Sequence, residues 1–496
     1  MPEEGPIRIV SNRLPVVLKR RRQRWEVEPG AGGLVQALRP ILRDRGGAWI
    51  GWPGVTAETG DGWRPGLRSV SHSEGYELVP VVLDDSDVEG FYEGFANSIV
   101  WPLFHGFPDR CSFDASFFAS YGRVNQKFTH AIADSHSDPG LLWIHDYHLF
   151  EVARRLRELG HQGPLAFFLH IPFPSVENFA KLPWRESLLK DLLHFDLIGF
   201  QTRRDLRHFQ QCLSLVGVHP DLPDSPAMQR FRDGDRSLWA GAFPIGMDFR
   251  DFAARSLSSD VSTRVHQLRH DLGSGKLLLG IDRLDYTKGL IHRLKAYEQA
   301  LTVHPALREE VVYFQLVVPS RENVPEYRAL KREFDRVVGR INGRFSTPRW
   351  RPIHYLYNRV DPVELSALYR LADVALVTPL RDGMNLVAKE YCASQTDDAG
   401  ALILSEFAGA AEQLQDGALL VNPYDIHDTA RAIYQALTMP PDERRRRMRL
   451  MRTTLAESDV FWWASSFLET ALMPSASLVT QQTLPPPGAD KPGHPA

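Results

Sequence analysis

The feature that most restricts what this chain can fold into is an alternation that runs almost its whole length. Uninterrupted apolar runs at Ile7–Val10, Leu141–Ile144, Leu165–Leu169, Leu277–Ile281, Val311–Val318, Val374–Val377 and Ala401–Leu404 each end in turn or polar residues. Longer stretches of helical periodicity, such as Leu290–Leu301 and Pro362–Leu371, lie between many of them. A strand that is apolar on both faces must be covered on both, and intervening helices supply that cover, so the pattern predicts the doubly wound parallel α/β class. With 496 residues the chain exceeds one ordinary core. Two strand sets are predicted, one from Ile7 to about Phe200 and one from about Leu277 to Leu420, with Ala242–Asp248 as a crossover between them. In open α/β sheets, ligands bind beyond the carboxyl ends of the strands, so a site is expected in the cleft between two facing domains. That rule selects Arg13, His145, Asp146, His170, Arg283, Ser320, Arg321, Asp382 and Glu406 as candidates.

Charge and cysteine usage exclude several partners. A formal net charge of -3 gives no overall field for a polyanion, so nucleic acid is not expected, while a local basic pocket for a phosphorylated small molecule stays open. Cys111, Cys212 and Cys392 are far apart, which fits neither a disulfide framework nor a zinc site and suits a reducing cytoplasm. No signal-peptide succession opens the chain and no apolar run is long enough to span a bilayer, so a cytoplasmic protein without membrane attachment is expected. No metal or cofactor is called for. Lys19–Arg24 reads as an exposed hairpin tip, Arg444–Arg447 as a solvated helix face, and Asp233-Gly234-Asp235 as a turn rather than a metal site. From about Met473 the apolar periodicity gives out, and residues 474–496, with Leu484-Pro485-Pro486-Pro487-Gly488, are predicted to be a disordered Pro-rich tail.

Several segments carry chemistry. After the strand Val374–Val377, the loop Thr378–Asn385 has a glycine at its sharpest point and leads into a helix from Leu386. Such a loop presents unpaired backbone N–H groups and the positive end of a helix dipole, which suits a diphosphate. Asp382 and Asn385 suit sugar hydroxyls, and Glu390, one turn into the helix, suits the paired hydroxyls of a ribose; the plainer alternative is an ordinary strand–helix connection capped by Asn385. A second strand end, Gly280-Ile281-Asp282-Arg283-Leu284-Asp285-Tyr286-Thr287-Lys288-Gly289, puts Arg283 and Lys288 around a turn, where they can clamp a diphosphate as it becomes a leaving group. The alternative there is a surface pair between Asp285 and Lys288. Ser11-Asn12-Arg13 and the Gly30–Leu34 stretch, with Gly32 and Gly33, suit a phosphate or pyrophosphate. In His170-Ile171-Pro172-Phe173-Pro174 the prolines fix the backbone and hold the imidazole still. Tyr92 and Trp101 suit the face of a sugar, or core packing.

These segments, together with Trp49-Ile50-Gly51-Trp52-Pro53-Gly54, Trp101–His105, Trp143–Leu149, Arg340–Gly343, Glu406–Ala410 and Asn422–Asp425, resemble the α,α-trehalose-6-phosphate synthases of glycosyltransferase family 20, in order, from residue 7 to about 470. The resemblance implies a GT-B fold of two Rossmann-like doubly wound domains facing across a cleft. It sets an acceptor-binding domain at residues 1–245, a nucleotide-sugar-binding domain at 246–455 and a C-terminal helix, 456–473, returning to the first. It implies transfer of glucose from a nucleotide-glucose, UDP-glucose foremost, to glucose 6-phosphate with retention, without a metal or cofactor. By the same resemblance the catalytic set is His170, Arg283, Lys288 and Asp382. Gly32, Gly33, Gly383, Met384, Asn385, Leu386, Val387 and Glu390 complete the donor site, and Arg13, Tyr92, Trp101, Asp146, Tyr147 and Arg321 hold the acceptor. Homodimers or homotetramers are the expected assemblies.

The family pattern departs at Gly106-Phe107-Pro108-Asp109-Arg110, which, with Leu182-Pro183-Trp184-Arg185-Glu186, resembles enzymes that glucosylate glycerol 3-phosphate. The Ser11–Pro15 and Trp49–Gly54 segments favour glucose 6-phosphate. A non-catalytic sugar-phosphate sensor would be expected to lack at least one of Arg13, Asp146, His170, Arg283, Lys288, Asp382 and Glu390, and all are present. No phosphatase-like half follows residue 470, so a bifunctional enzyme is not expected.

Overall fold

The structure is a computed structural model that describes residues 6–21, 24–30, 33–135, 140–221, 228–273, 275–321 and 324–473. The predicted Pro-rich tail, Gly32 and the hairpin tip at 22–23 lie outside the described residues. The described residues form two compact units, one made of those up to Phe243 together with those from Ala464 on, the other of Pro244–Trp463.

The first unit holds β1 (Ile7–Arg13), β2 (Val16–Arg21), β3 (Arg24–Pro29), β4 (Gly47–Trp52), β5 (Glu77–Pro80), β6 (Leu142–His145), β7 (Leu165–Phe168), β8 (Leu197–Phe200), β9 (Met228–Asp233) and β10 (Arg236–Ala242). Apart from the β2–β3 hairpin they form one sheet in the order β5-β4-β1-β6-β7-β8-β10-β9. All pairings are parallel except the β9–β10 edge hairpin. Gly234, at φ 58, sits in that hairpin's turn, Asp233–Asp235. The central strands are apolar on both faces because helices cover both: every residue of β6, β7 and β8 is buried. Part of that cover comes from the end of the chain. Phe467, in the helix Val460–Leu472, stacks on Trp143 with ring centroids 4.7 Å apart, and burying rings of this size stabilises by ~1.5–3 kcal/mol each.

The second unit holds β11 (Lys276–Arg283), β12 (Val311–Val318), β13 (Ile353–Tyr357), β14 (Val374–Val377), β15 (Ala401–Ser405) and β16 (Leu419–Val421) in the order β13-β12-β11-β14-β15-β16. Every pairing in it is parallel. Both sheets start from a central strand, add neighbours to one side and then reverse to the other. This is the doubly wound arrangement, and the reversal opens a crevice between the first strand and its later neighbour at the strands' carboxyl ends. The crevice lies between β1 and β6 in the first unit and between β11 and β14 in the second.

Two expectations need correction. The first strand set runs beyond Phe200, because β9 and β10 follow. Arg444–Arg447 is not uniformly solvated: Arg445 and Arg446 face outward beside Asp442 and Glu443. Arg444 instead donates to the carbonyls of Ala399 and Ala436 at 3.2 and 3.0 Å. Arg447 is part-buried as well and donates to the Gly417 carbonyl at 3.4 Å, so a helix packed at its flank turns two of four successive arginines inward. Among the described residues, no helix is long and apolar enough to cross a membrane.

Candidate functional site

In the second unit, β14 delivers Thr378 into the crevice and the chain then runs through Pro379–Gly383 to Asn385. The loop is fixed on both sides by backbone bonds. The Thr287 carbonyl accepts from the amides of Leu380 (2.7 Å) and Arg381 (3.4 Å), and the Asp382 carbonyl accepts from Gly409 N–H (3.2 Å). Gly409 permits this approach, since a Cβ there would fall 1.8 Å from the Gly383 carbonyl oxygen. Asn385 is left-handed, at φ 78, a conformation that Asn tolerates better than other side-chain-bearing residues. Its Oδ1 accepts from the Ala388 amide at 3.3 Å and so caps the helix Leu386–Ser394. Leu386 and Val387, in the first turn, keep amides without an acceptor among the described residues, the condition that makes a helix start an anion site.

Three side chains meet over this helix start. Lys288 Nζ lies 2.5 Å from Asp382 Oδ2, and Asn385 Nδ2 donates to the same oxygen at 3.0 Å. Lys288 therefore pairs with Asp382, and Asp285 does something else. Fully buried, Asp285 accepts from the Thr287 amide (3.0 Å) and hydroxyl (2.9 Å), closing the turn that carries Lys288. Burial raises the Asp285 pKa, but Arg321, Arg283 and Lys288 outweigh it and hold the carboxylate below its ordinary value. Arg283, exposed at the end of β11, and Arg321, at φ 48 beyond β12, thus join Lys288 in one cationic group. Arg321 donates to Tyr327 Oη at 2.5 Å. Further down the helix, Glu390 Oε2 accepts from Tyr369 Oη at 2.8 Å. Burial raises the Glu390 pKa, against the Tyr369 bond and Arg255.

Beneath the loop lies a buried polar knot that the sequence reading did not single out. Arg293, 1% exposed, pairs with Asp282 and donates to Thr378 Oγ1 (3.1 Å), Gln315 Oε1 (3.2 Å) and the Lys288 carbonyl (3.3 Å). One guanidinium thereby joins the Lys288 turn to the start of the Thr378–Asn385 loop. Lys389, also fully buried, donates to the Ile245 carbonyl at 2.7 Å and Gln413 Oε1 at 2.5 Å, and burial pulls its pKa down to about 7. In sequence, Arg293 looks like one more charge on an amphipathic helix. The available signal was its place on the inner face of Leu290–Val303.

In the first unit the candidates gather at the ends of β1, β6 and β7. The Arg13 guanidinium lies over the Trp52 ring, 4.0 Å from its centroid, and 5.9 Å from that of Tyr92. Among the described residues no carboxylate pairs with it. Gly54 makes room, since a Cβ there would sit 1.9 Å from Arg13 Nη1. Tyr92 lies in Val88–Val100, a π-wound stretch of helix, an irregularity common near functional sites. An aromatic wall continues from Tyr92 to His148 (centroids 6.1 Å), from His148 to Tyr147 (4.0 Å) and from Tyr147 to Trp101 (6.1 Å).

Asp146 adopts φ 73 just after β6, a strained conformation for this residue type and one that favours functional sites. Its Oδ1 accepts from the His170 amide at 3.3 Å. Burial raises its pKa to about 7, opposed by the amides of Tyr147 and His170. Burial likewise pulls His170 down to about 3, so its ring is neutral at physiological pH, with Nε2 3.1 Å from His145 Nδ1.

The predicted site residues thus fall into two groups. Arg283, Lys288, Arg321, Asp382, Gly383, Met384, Asn385, Leu386, Val387 and Glu390 share the second unit's crevice. Arg13, Tyr92, Trp101, Asp146, Tyr147 and His170 share the first unit's. Arg321, predicted with the acceptor group, lies in the second unit beside Asp285 together with Arg283 and Lys288. Gly33 begins the helix Gly33–Arg45, and Gly32 is outside the described residues. Among the described residues no group of three or more His, Cys, Asp or Glu is placed to hold a metal ion.

The model of glycosyltransferase family 20 matches residues 6–472. A bifunctional trehalose-6-phosphate synthase/phosphatase of Thermoproteus tenax is 43% identical over 473 residues; the match takes in 93% of this chain, which spans only 62% of that protein's length. Two solved structures are similar throughout. One is an alpha,alpha-trehalose-phosphate synthase (UDP-forming) from Burkholderia xenovorans in complex with glucose-6-phosphate, at 35% identity and TM-score 0.85, covering 95% of this chain and all of that one. The other is an E. coli protein bound with UDP-2-fluoro glucose, at 34% identity and TM-score 0.84, covering 94% and 99%.

Proposed function

The chain belongs to glycosyltransferase family 20, and from that membership we propose that it transfers glucose from UDP-glucose to glucose 6-phosphate, with retention, to give α,α-trehalose 6-phosphate. The observation that carries the reading is the second unit's helix start, where acceptor-free amides at Leu386 and Val387 adjoin Lys288, Asp382 and Asn385. A nucleotide diphosphate fits it: the amides and the cations of Lys288 and Arg283 take the phosphate oxygens, and Glu390, held by Tyr369, takes the ribose hydroxyls. Asp382 is shared between Lys288 and Asn385 before the donor arrives. A diphosphate drawing on Lys288 would free one Asp382 oxygen for a glucose hydroxyl.

In the first unit, the uncompensated Arg13 suits the acceptor phosphate. The Tyr92–His148–Tyr147–Trp101 wall suits the sugar face. Asp146, with a pKa near 7, suits an acceptor hydroxyl. His170 is neutral and serves as a hydrogen-bonding partner of the transferred glucose, not as a proton donor to it. The bond from the anomeric carbon to the diphosphate breaks while the acceptor hydroxyl bonds to the same face, and its proton passes to the departing phosphate oxygen. Arg283 and Lys288 stabilise the charge that develops there, which is where fixed cations lower a barrier most. The free cysteines Cys111, Cys212 and Cys392 fit a cytoplasmic setting. Initial rates of nucleotide release over a matrix of UDP-, ADP- and GDP-glucose against glucose 6-phosphate, glycerol 3-phosphate and glucose test the proposal. The pair UDP-glucose and glucose 6-phosphate should be fastest. A faster rate with glycerol 3-phosphate, or no acceptor-dependent release, would overturn it.

A further inference from the structure

At the opposite end of the first sheet, where β1 and β6 begin, a recess of about 320 Å³ is lined by Arg8, Ile132, Ala133, Ser135, Leu156, Leu159, Gly160 and His161. Arg8 is 5% exposed, its Nε has no hydrogen-bond partner, and no carboxylate or carbonyl among the described residues accepts from its side chain. His161 Nε2 is also buried without a partner. The neighbouring charges are already matched: Arg157 donates to Asp196 Oδ2 at 2.8 Å and to the carbonyls of His161 and Gly163, and Asp196 Oδ2 also accepts from the Leu165 amide at 2.7 Å. Asp196 is engaged by Arg157 and the Leu165 amide and accepts no hydrogen bond from Arg8. The Arg8 Nε is thus buried without a partner and its guanidinium has no counterion among the described residues, whereas such groups are normally paired.

We propose that this recess is an anion site of the first unit, taking a small oxyanion, a phosphate or sulfate group, between the Arg8 guanidinium and the His161 imidazole. The fork of Arg8 supplies parallel N–H donors, which suit tetrahedral oxyanions. Burial, with Arg8 and Arg157 adding to it, lowers the His161 pKa against Asp196, so the ring contributes a neutral N–H. Ile132, Leu156 and Leu159 leave an apolar flank that would accept a short organic group on the phosphate. Arg8 stands at the start of β1 and Arg13 at its end, so the recess and the Arg13 group lie at opposite ends of the sheet, and the site does not depend on the proposed reaction.

Thermal unfolding across a sulfate titration at constant ionic strength tests it. The background carries Arg13→Ala and Arg283→Ala, which remove two cations proposed to hold substrate phosphates, and Arg8→Met and His161→Phe are compared in it. The background should show a saturable rise in Tm. Arg8→Met should lose the saturable part, keeping only the general, non-saturating effect of sulfate, and in sulfate-free buffer it should be at least as stable as its parent. If Arg8→Met does not fold, His161→Phe must weaken the apparent affinity several-fold. A saturable rise equal in all three proteins, or none in the background, would overturn the site. Arg8→Met alone should turn over like the wild type, so this result and the acceptor matrix fail independently.

Discussion

Replacing Lys288 by Met separates the roles of that residue in chemistry and in folding. The ammonium sits 2.5 Å from Asp382 Oδ2, with both side chains nearly buried, at 12% and 14% exposure. A unit charge about 4 Å from a phosphate oxygen at an effective dielectric of ~20 is worth ~4 kcal/mol. If that interaction strengthens as the diphosphate departs, its loss lowers kcat and kcat/KM together by roughly 10²–10³-fold. The folding cost is larger than at a surface pair: removing one partner of a nearly buried pair costs up to ~3–5 kcal/mol, offset in part because Asn385 Nδ2 still donates to Asp382 at 3.0 Å. The assay is steady-state UDP release with saturating acceptor over a full donor titration, with Tm measured in parallel. Lys288→Arg should recover part of the loss, since it restores the charge. A Met variant with kcat within tenfold of the wild type, or one affected in donor KM alone, would refute leaving-group stabilisation. A Tm collapse with unrecoverable activity would make the residue structural.

Three further outcomes follow from the geometry. Gly409→Ala drives a Cβ to within 1.8 Å of the Gly383 carbonyl, so it should displace the donor loop. Its donor KM is expected to rise more than tenfold while acceptor KM stays near normal, and an unchanged donor KM would contradict the close packing. Arg13→Ala should raise the KM for glucose 6-phosphate by ~10²-fold, the loss of one charge-assisted contact of ~1.5–3 kcal/mol, and leave donor KM alone; equal effects on both substrates would count against its assignment. His170, held near pKa 3, stays neutral while the unfolded chain takes up its proton below pH ~6.5. Folded stability is therefore lost as pH falls from 6.5 toward 3, by ~1.4 kcal/mol per pH unit for this group. Asp146, raised to about 7, acts oppositely over its own window from ~3.8 to 7, gaining stability as pH falls. His170→Asn should lower the slope of stability against pH by that ~1.4 kcal/mol per unit in urea unfolding at pH 5, 6 and 7, whatever Asp146 contributes, and an unchanged slope would show that His170 is protonated in the folded protein.

The strands most visible in the sequence are the ones buried on both faces. β11, β12, β14 and β15 read as unbroken apolar runs because helices cover both sides, and the helices Leu290–Val303 and Pro362–Leu371 followed from their 3.6-residue period. β13, with the sequence IHYLY, and β9 escaped notice because edge strands carry half-polar patterns. β4 and β8 contain glycines that interrupt a hydrophobic run. In the site, loop-borne groups such as Asp382, Asn385 and Lys288 were legible since residue type and position after a strand state their chemistry. Arg293, Tyr369 and Trp52 were not. Their importance lies in what they touch, Thr378 with the Lys288 carbonyl, Glu390, and Arg13, and each contact spans sequence distance that no local pattern records. Arg321 shows the opposite limit: its residue type signals phosphate, but only the fold places it beside Asp285 and Tyr327.

The central claim is a same-face glucosyl transfer to glucose 6-phosphate, and proton NMR of the reaction mixture tests it most directly. Incubating the protein with UDP-glucose and glucose 6-phosphate should yield UDP and one new disaccharide phosphate whose two anomeric protons both show the small couplings of α linkages. A large anomeric coupling on the transferred glucose, or a mixture in which glucose 6-phosphate is left unchanged, would contradict it.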